Sequence, residues 1–507
     1  MYRRIALLIC LGLVFSAAPL RATDERPNFI VINVDDLGYA DIGPFGSNNR
    51  TPNLDRMARE GRKLRSHYAA PVCSPSRASL LTGCYPKRCL PIPHVLFPAS
   101  AVGLHPDEVT VAEVLKGVGY ATACIGKWHL GDQAEFLPTK QGFDEYFGIP
   151  YSNDMGPAAD GSKSNPGKPL PTSSAAIAAV TKTRNPGGDE TGLKGAAQTP
   201  LPLVEGDKVV ARVRVAEQFD VTRQYTERAA KFIREHADEP FFLYLPHTAV
   251  HFPLYPSKDY QGKSPNGLLG DWVEEVDWSV GTVLDAVREK KLDQKTLVIF
   301  TSDNGGSLPH GSNNGPLRGS KGQTFEGGIR VCTIAWWPGR VPAGTATDAI
   351  TTTMDLLPTF ATLAGAKLPA GRKLDGIDVG SVLIGDPETP PRDEFLYFRG
   401  FQLQAVRLGP WKLHLERTGE AANGFGKQSL ALFNLSADVG EATNLASTHP
   451  DIVARLQKIA EATKNDLGLV DVGPGCRPLG RVAYPQPLIH NDGTVRADAV
   501  GTAKQFP

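Results

Sequence analysis

Asn28-Phe29-Ile30-Val31-Ile32-Asn33-Val34 runs directly into Asp35-Asp36. A continuous apolar run of this length marks a strand buried on both faces, the pattern of a parallel sheet covered by helices. Two adjacent carboxylates closing such a strand repel each other and lose hydration, so a cation is expected beside them. In open sheets of this kind ligands gather at the carboxyl ends of strands. The stretch therefore predicts both a fold and the end of the sheet where chemistry takes place.

The same texture recurs downstream. Tyr120 to Ile125 reads as a short strand and runs out into Gly126-Lys127-Trp128-His129-Leu130-Gly131, where Lys127 and His129 project to one side in extended chain. Phe241 to Leu245 leads into Pro246-His247, with His251 beyond, and Thr296 to Phe300 leads into Asp303-Asn304-Gly305-Gly306. Val331 to Trp337 is a further strand. Helices are expected over Pro52 to Glu60 (stopped by Gly61), Thr110 to Val118, Thr222 to His236, Leu269 to Lys290 and Met354 to Ala364. Strands alternating with helices predict an α/β fold, a large mixed, mostly parallel sheet sandwiched by helices. Four strand ends then deliver Asp35-Asp36, Lys127/His129, His247/His251 and Asp303-Asn304 to one edge.

Past about residue 385 the texture changes. Phe395 to Phe398, Gln404 to Leu408, Trp411 to Leu415 and Leu430 to Asn434 are short strand-like pieces separated by turns, and Pro450 to Asn465 reads as a helix. They predict a smaller C-terminal α+β domain with an antiparallel sheet. The expected division is 1–22, 23–385 and 386–507. Residues 157 to about 203, rich in Gly, Pro, Ser, Thr and Ala, read as an irregular excursion over the active face. Gly315 to Gly328 is a glycine-rich loop carrying Arg318, Lys321 and Glu326.

Cys73-Ser74-Pro75-Ser76-Arg77 opens a helix that Gly83 ends, with Ser74 as candidate N-cap and Pro75 as first helical residue. A helix N-terminus favours an anion, and Arg77 adds a fixed charge one turn on. The arrangement suggests a nucleophile beside an anion cradle. Asp35, Asp36, Asp303 and Asn304 all offer oxygen. That set suits Ca2+ or Mg2+ and not zinc, and Ca2+ tolerates irregular carboxylate geometry better.

The chain has 507 residues, 41% hydrophobic and 21% charged, the balance of a globular enzyme. Lys plus Arg equals Asp plus Glu at 54 each, which gives no support to nucleic-acid binding. Arg3 and Arg4, the apolar run Ile5 to Phe15 and a cleavage site near Ala22 read as a secretory signal. No stretch is long and apolar enough for a membrane span. The expected location is secreted, periplasmic or a lysosomal-type lumen. Cys84 and Cys89 are spaced to bridge across a turn, a pairing that spacing leaves open.

The segment Cys73-Ser74-Pro75-Ser76-Arg77 resembles the signature of the type I sulfatases, and Gly148-Ile149-Pro150-Tyr151-Ser152 resembles their arylsulfatase A-like subgroup. The resemblance extends from the first strand to Leu432-Phe433-Asn434-Leu435 and Glu441 to Leu445. It implies the alkaline phosphatase-like fold, hydrolysis of sulfate esters, and oxidation of Cys73 to formylglycine by a separate formylglycine-generating activity. The hydrated aldehyde would attack sulfur with one hydroxyl and expel sulfate through the other. It also implies that Asp35, Asp36, Asp303 and Asn304, with formylglycine from Cys73, hold the cation. Lys127 and Lys321 would bind sulfate, and His129 would take the second diol proton. His251 and Ser152 would contact substrate, Lys321 would assist leaving-group protonation, and Arg77 would offset developing charge. The expected substrates are aryl sulfates in vitro and sulfated carbohydrates in nature. Asn153, Cys332 and Asn434 depart from the family's usual His, Pro and Asp. Two rival readings are a phosphomonoesterase or phosphodiesterase and a non-catalytic glycan-binding relative. A single full ligand set argues against the first, and the intact polar set against the second.

Overall fold

A computed structural model of the chain describes residues 26–168, 198–385, 390–417 and 428–501. The expected signal at 1–22 and most of the excursion lie outside the described residues.

Asn28–Val34 forms the predicted strand, every residue buried. It lies between Phe241–Pro246 and Thr296–Ser302, parallel to both. Ala121–Ile125 and Glu145–Gly148 extend the parallel set beyond Phe241–Pro246. The strands that end in the candidate residues are thus consecutive neighbours in one sheet. Arg330–Trp336 pairs antiparallel with Thr296–Ser302 and with Arg62–Tyr68, and the hairpin Leu201–Glu205/Lys208–Val213 closes the other side antiparallel. The sheet is mixed and mostly parallel, as expected, but Arg62–Tyr68 and the hairpin are additions to the expected elements. Arg62–Tyr68 hides in the sequence because it is polar; Arg62 is buried by donating to the Val382 carbonyl at 2.6 Å.

The helices follow the apolar periodicity. Pro52–Glu60 is bounded by Thr51 and Gly61 as predicted. Val111–Lys116 starts on a capping box in which the Thr110 side chain and Glu113 satisfy each other's backbone amides. It ends at Lys116, short of Val118. Gly267–Glu289 and Val221–Glu235 bury Trp272, Val276, Val280, Tyr225 and Phe232 against one face of the sheet. On the other face Leu356–Ala364 and the helix after Cys73 cover Phe29, Val31 and Phe242. Each fully buried side chain of this size contributes about 1.5–3 kcal/mol relative to exposure.

The helix start at the cysteine differs from expectation in a way that matters for the site. The helix is Cys73–Thr82, with Val72 as N-cap and Gly83 in the left-handed conformation after its end. Ser74 is already inside the first turn, and its hydroxyl accepts from the Leu96 amide at 3.2 Å instead of capping. Pro75 is tolerated because first-turn amides have no helical acceptor anyway. The shift carries Cys73 onto the helix itself.

Glu394–Arg399, Gln402–Leu408, Trp411–His414 and Ala431–Asn434 form a separate four-stranded antiparallel sheet. Val453, Leu456 and Ala460 of the helix Pro450–Lys464 pack with Val406 and Leu413 of that sheet. Cys84 and Cys89 are separate thiols, each donating to a local carbonyl.

Candidate active site

Past their last ladder residues the parallel strands stay in register through loop hydrogen bonds. The Asp303 amide donates to the Val34 carbonyl at 2.9 Å, His247 to Asn33 at 2.8 Å, and Lys127 to Pro246 at 2.7 Å. Asp35 is pinned from both sides, donating to Ala249 at 2.8 Å and accepting from Val250 at 2.7 Å. Gly126 makes this crowding feasible: its φ is +137°, and a Cβ there would lie 1.9 Å from the Pro246 oxygen. Asp36 and His129 are non-glycine residues with φ of 58° and 65°. Such backbone costs about 1–3 kcal/mol and persists where surrounding bonds over-determine it.

The side chains converge. Cys73 Sγ lies 3.3 Å from Asp35 Oδ1. Ligand atoms of Asp35, Asp36, Cys73 and His251 all lie within 4.8 Å of one another. Lys127 is bonded to Asp35 and donates to Ser152 Oγ at 3.2 Å. Lys321 Nζ sits 2.6 and 2.8 Å from the two Asp36 oxygens. Arg77 closes its fork on Asp303 Oδ2 at 2.8 and 3.1 Å and reaches the Lys127 carbonyl at 2.5 Å. It therefore ties two strand ends together as well as adding charge. Asn304 Nδ2 donates to Asp36 Oδ1 at 2.9 Å. His247, by contrast, turns away to Ser279 Oγ at 3.2 Å.

Protonation follows from this packing. Burial alone would raise the Asp35 carboxyl, but Lys127, His251, Arg77 and Lys321 hold it well below the usual range. Burial and the charge of Asp35 push Asp303 up to about 6. Burial and Asp35 push the Cys73 thiol well above its ordinary range, so the unmodified thiol is neutral at physiological pH and a weak nucleophile. Burial, Lys127 and Arg77 keep His129 neutral. Its Nε2 faces the Leu96 carbonyl at 3.0 Å and so carries the proton; Nδ1 is a shielded lone pair without a partner.

Three carboxylates thus face three fixed cations, Arg77, Lys127 and Lys321. A dication added to this balance leaves a net positive hollow for an anion. The residues fit such an ion: the donor set is oxygen-rich, and Asn304 Oδ1 is buried with no hydrogen-bond partner. Arg77, Lys127 and Asp35 side chains are fully buried, whereas Lys321 is 20% and His251 11% exposed, which puts the opening on their side.

At that opening the structure brings in residues not singled out from the sequence. Asp154 follows Ser152 in the turn Asn153–Met155, and His310 stacks on Phe252. The sequence signals were faint: a second acid in a loop already containing Ser152, and a histidine in a glycine-rich turn.

The chain is similar to known proteins over most of its length. The family described as Sulfatase matches residues 27–366, and the C-terminal region of aryl-sulfatase matches 390–472. Human arylsulfatase A is 36% identical over 478 residues, 88% of this chain and 90% of that protein. Mouse steryl-sulfatase is 39% identical over 437 residues, 77% of this chain and 70% of that protein. Among solved structures, Ps i-CgsB in complex with k-i-k-neocarrahexaose superposes with a TM-score of 0.70 at 31% identity, over 86% of this chain and 92% of that one.

Proposed function

The chain belongs to the sulfatase family and is a sulfuric ester hydrolase, and from that premise we propose a formylglycine- and Ca2+-dependent enzyme acting on aryl sulfates and sulfated carbohydrates. The observation that carries the finer reading is Cys73 Sγ at 3.3 Å from Asp35 Oδ1, enclosed by Arg77, Lys127 and Lys321. A neutral buried thiol is poorly suited to attack sulfur. Matured to formylglycine, residue 73 would supply a diol with one hydroxyl for attack and one for release of sulfate. A divalent ion held by Asp35, Asp36, Asp303 and Asn304 would supply Lewis acidity and charge neutralisation, with Mg2+ the alternative to Ca2+.

The chain's own groups do the rest. Lys127 and Lys321 offer N–H donors to sulfate oxygens, positioned by Asp35 and Asp36. Arg77 fixes Asp303 and the Lys127 backbone and lends its charge to the pocket. His129, with its open Nδ1, accepts the proton released at residue 73. Burial alone would lower the Lys321 ammonium, but the acidic groups around it, Asp36 foremost, together hold it protonated, so it can donate to the departing oxygen. Ser152 and His251, 3.3 Å apart, contact the substrate beside it. In this reading residues 23–385 form the catalytic part and 386–507 the smaller part. The chain acts outside the cytoplasm after loss of 1–22, and a separate activity matures Cys73.

Mass spectrometry of the peptide containing Cys73, on enzyme from its native host, tests the reading together with turnover of paired sulfate and phosphate esters. The expected result is an aldehyde at residue 73 and a strong sulfate preference. A free thiol on fully active enzyme would refute the nucleophile; a phosphate preference would overturn the reaction.

A further inference from the structure

The sulfate-binding groups are sealed on one side and open on the other. Lys321 and His251 face the opening, so whatever carries the sulfate must extend outward past them. The wall it meets there is built from two segments. Ser152 Oγ and His251 Nδ1 lie 3.3 Å apart, and Asn153 Nδ2 donates to the Pro253 carbonyl at 3.0 Å, so residues 152–154 and 251–253 run side by side. Phe252 and His310 stack on this wall with ring centroids 4.6 Å apart and an interplanar angle of 14°. His310 is exposed, and its Nδ1 is fixed by Ser307 Oγ at 3.0 Å.

Asp154 stands out on this wall. Its backbone carbonyl is bonded by Lys163, but its carboxylate has no hydrogen-bond donor among the described residues, and Oδ1 is shielded from solvent. A shielded acceptor left without a donor costs about 1–3 kcal/mol, and one beside an active centre calls for an explanation. The carboxyl stays ionised, since the charges of His251, Lys163, Lys127 and Lys321 outweigh burial. Ser152, two residues before it in the same turn, accepts from Lys127 at 3.2 Å and lies 3.3 Å from His251, which sets Asp154 beside the sulfate-binding groups. His310 stacks on Phe252, the residue after His251, which sets the aromatic pair and the carboxylate around one opening.

We propose that Asp154 and the Phe252–His310 stack form a sugar-recognition wall, in which the ring carrying the sulfate packs on the aromatic pair and donates a free hydroxyl to Asp154. The chemistry follows from the parts. Aromatic faces are electronegative and pair with the polarised C–H face of a pyranose. An ionised acceptor without a donor selects a neutral hydroxyl. It repels a neighbouring carboxylate or second sulfate, so the substrate class is a monosulfated neutral sugar rather than a polyanionic unit. This inference rests on the placement of sulfate at Lys127 and Lys321 given above.

The test compares kcat/KM on 4-nitrophenyl sulfate with that on a panel of monosulfated methyl galactosides and N-acetylglucosaminides. In Asp154→Asn, the sugar-to-aryl ratio is expected to fall about tenfold or more, through KM on the sugar, because a charge-assisted hydrogen bond is lost. His310→Ala, at an exposed position, is expected to lower the same ratio, which covers the case of an Asp154 variant that folds poorly. For the wild type, replacing the vicinal hydroxyl by hydrogen should produce a loss that Asp154→Asn no longer shows. A ratio unchanged in both variants overturns the inference. So does a wild-type enzyme that cleaves the aryl sulfate but no sugar in the panel, which would leave the sulfatase reading standing. Wild-type enzyme that cleaves neither class refutes the underlying reading as well.

Discussion

Two clusters of buried charge can be set side by side. One is the hollow around Asp35, Asp36 and Asp303; the other lies where the C-terminal sheet meets the loop 315–328. In the second, Lys412 Nζ reaches Glu326 Oε1 and Glu441 Oε1, each at 2.9 Å, and the Thr324 carbonyl at 2.8 Å. Tyr397 and Tyr68 donate to the two Glu326 oxygens at 3.0 and 2.6 Å. His414 and the Glu326 amide each reach Glu441 at 2.7 Å. Every carboxylate oxygen there has a donor, and His414 Nδ1 is the one orphan. Around the hollow, Asn304 Oδ1, His129 Nδ1 and Asp154 Oδ1 all lack partners. Burial and charge are common to both clusters. The difference is completeness: a closed network holds structure together, and an open one is shaped for something the chain does not itself provide.

Cys73→Ala should separate the two most sharply. Removing the proposed nucleophile is expected to lower kcat by about 10^3-fold or more. Single-turnover assays should show this while the thermal unfolding midpoint moves far less than in the next variant. Activity retained in Cys73→Ala would remove residue 73 from the chemistry. Lys412→Met breaks the closed cluster by removing the cation that Glu326 and Glu441 share. The expected destabilisation is about 3–5 kcal/mol, read from urea unfolding. A protein as stable as the parent would mean that the network is not load-sharing.

The closed cluster also predicts an acid limb. Burial alone would raise the Glu326 carboxyl, but Lys412, Arg330 and Arg407 draw it well below the usual 4.5. A carboxyl depressed on folding gives stability that is full above its unfolded value and is lost as pH falls below about 4.5. Glu326→Gln should therefore be less stable than the parent at neutral pH, with the gap narrowing toward pH 3; a constant gap across that range would contradict the argument. The smallest effect is expected at the surface. Arg223, half exposed beside Glu227 at 3.2 Å, should cost under about 0.5 kcal/mol when changed to Ala. A larger loss would show that enclosure is not what distinguishes strong pairs from weak ones here.

Much of the scaffold was legible because its central strands are apolar on both faces. Asn28–Val34 and Thr296–Ser302 could hardly be read otherwise, and each delivers its acids directly at its end. The glycines after Glu60 and Thr82 marked two helix ends. Arg62–Tyr68 was not legible, since its arginines and lysine show no strand pattern until their distant partners are known. The start of the helix at Cys73 was misplaced because Ser74 looks like a cap locally, while the Leu96 amide that claims its hydroxyl lies 22 residues away. The same limit hid the closed cluster, whose Lys412–Glu326 bond spans 86 residues. Asp154 and His310 escaped notice for a related reason: neither belongs to a strand end, and only the packing of loops brings them to the opening.

The loop that carries Lys321 is held at both ends by the C-terminal part, at one end by its strands and at the other by the loop after Asn434. Arg318 donates to the Glu441 carbonyl at 2.8 Å, and Thr324 bonds both Lys412 and Gln404. A chimera that imports this C-terminal part from a relative to change substrate choice would therefore also reset Lys321, the lysine proposed to bind sulfate. Rate and selectivity would shift together, and neither could be engineered by that route alone.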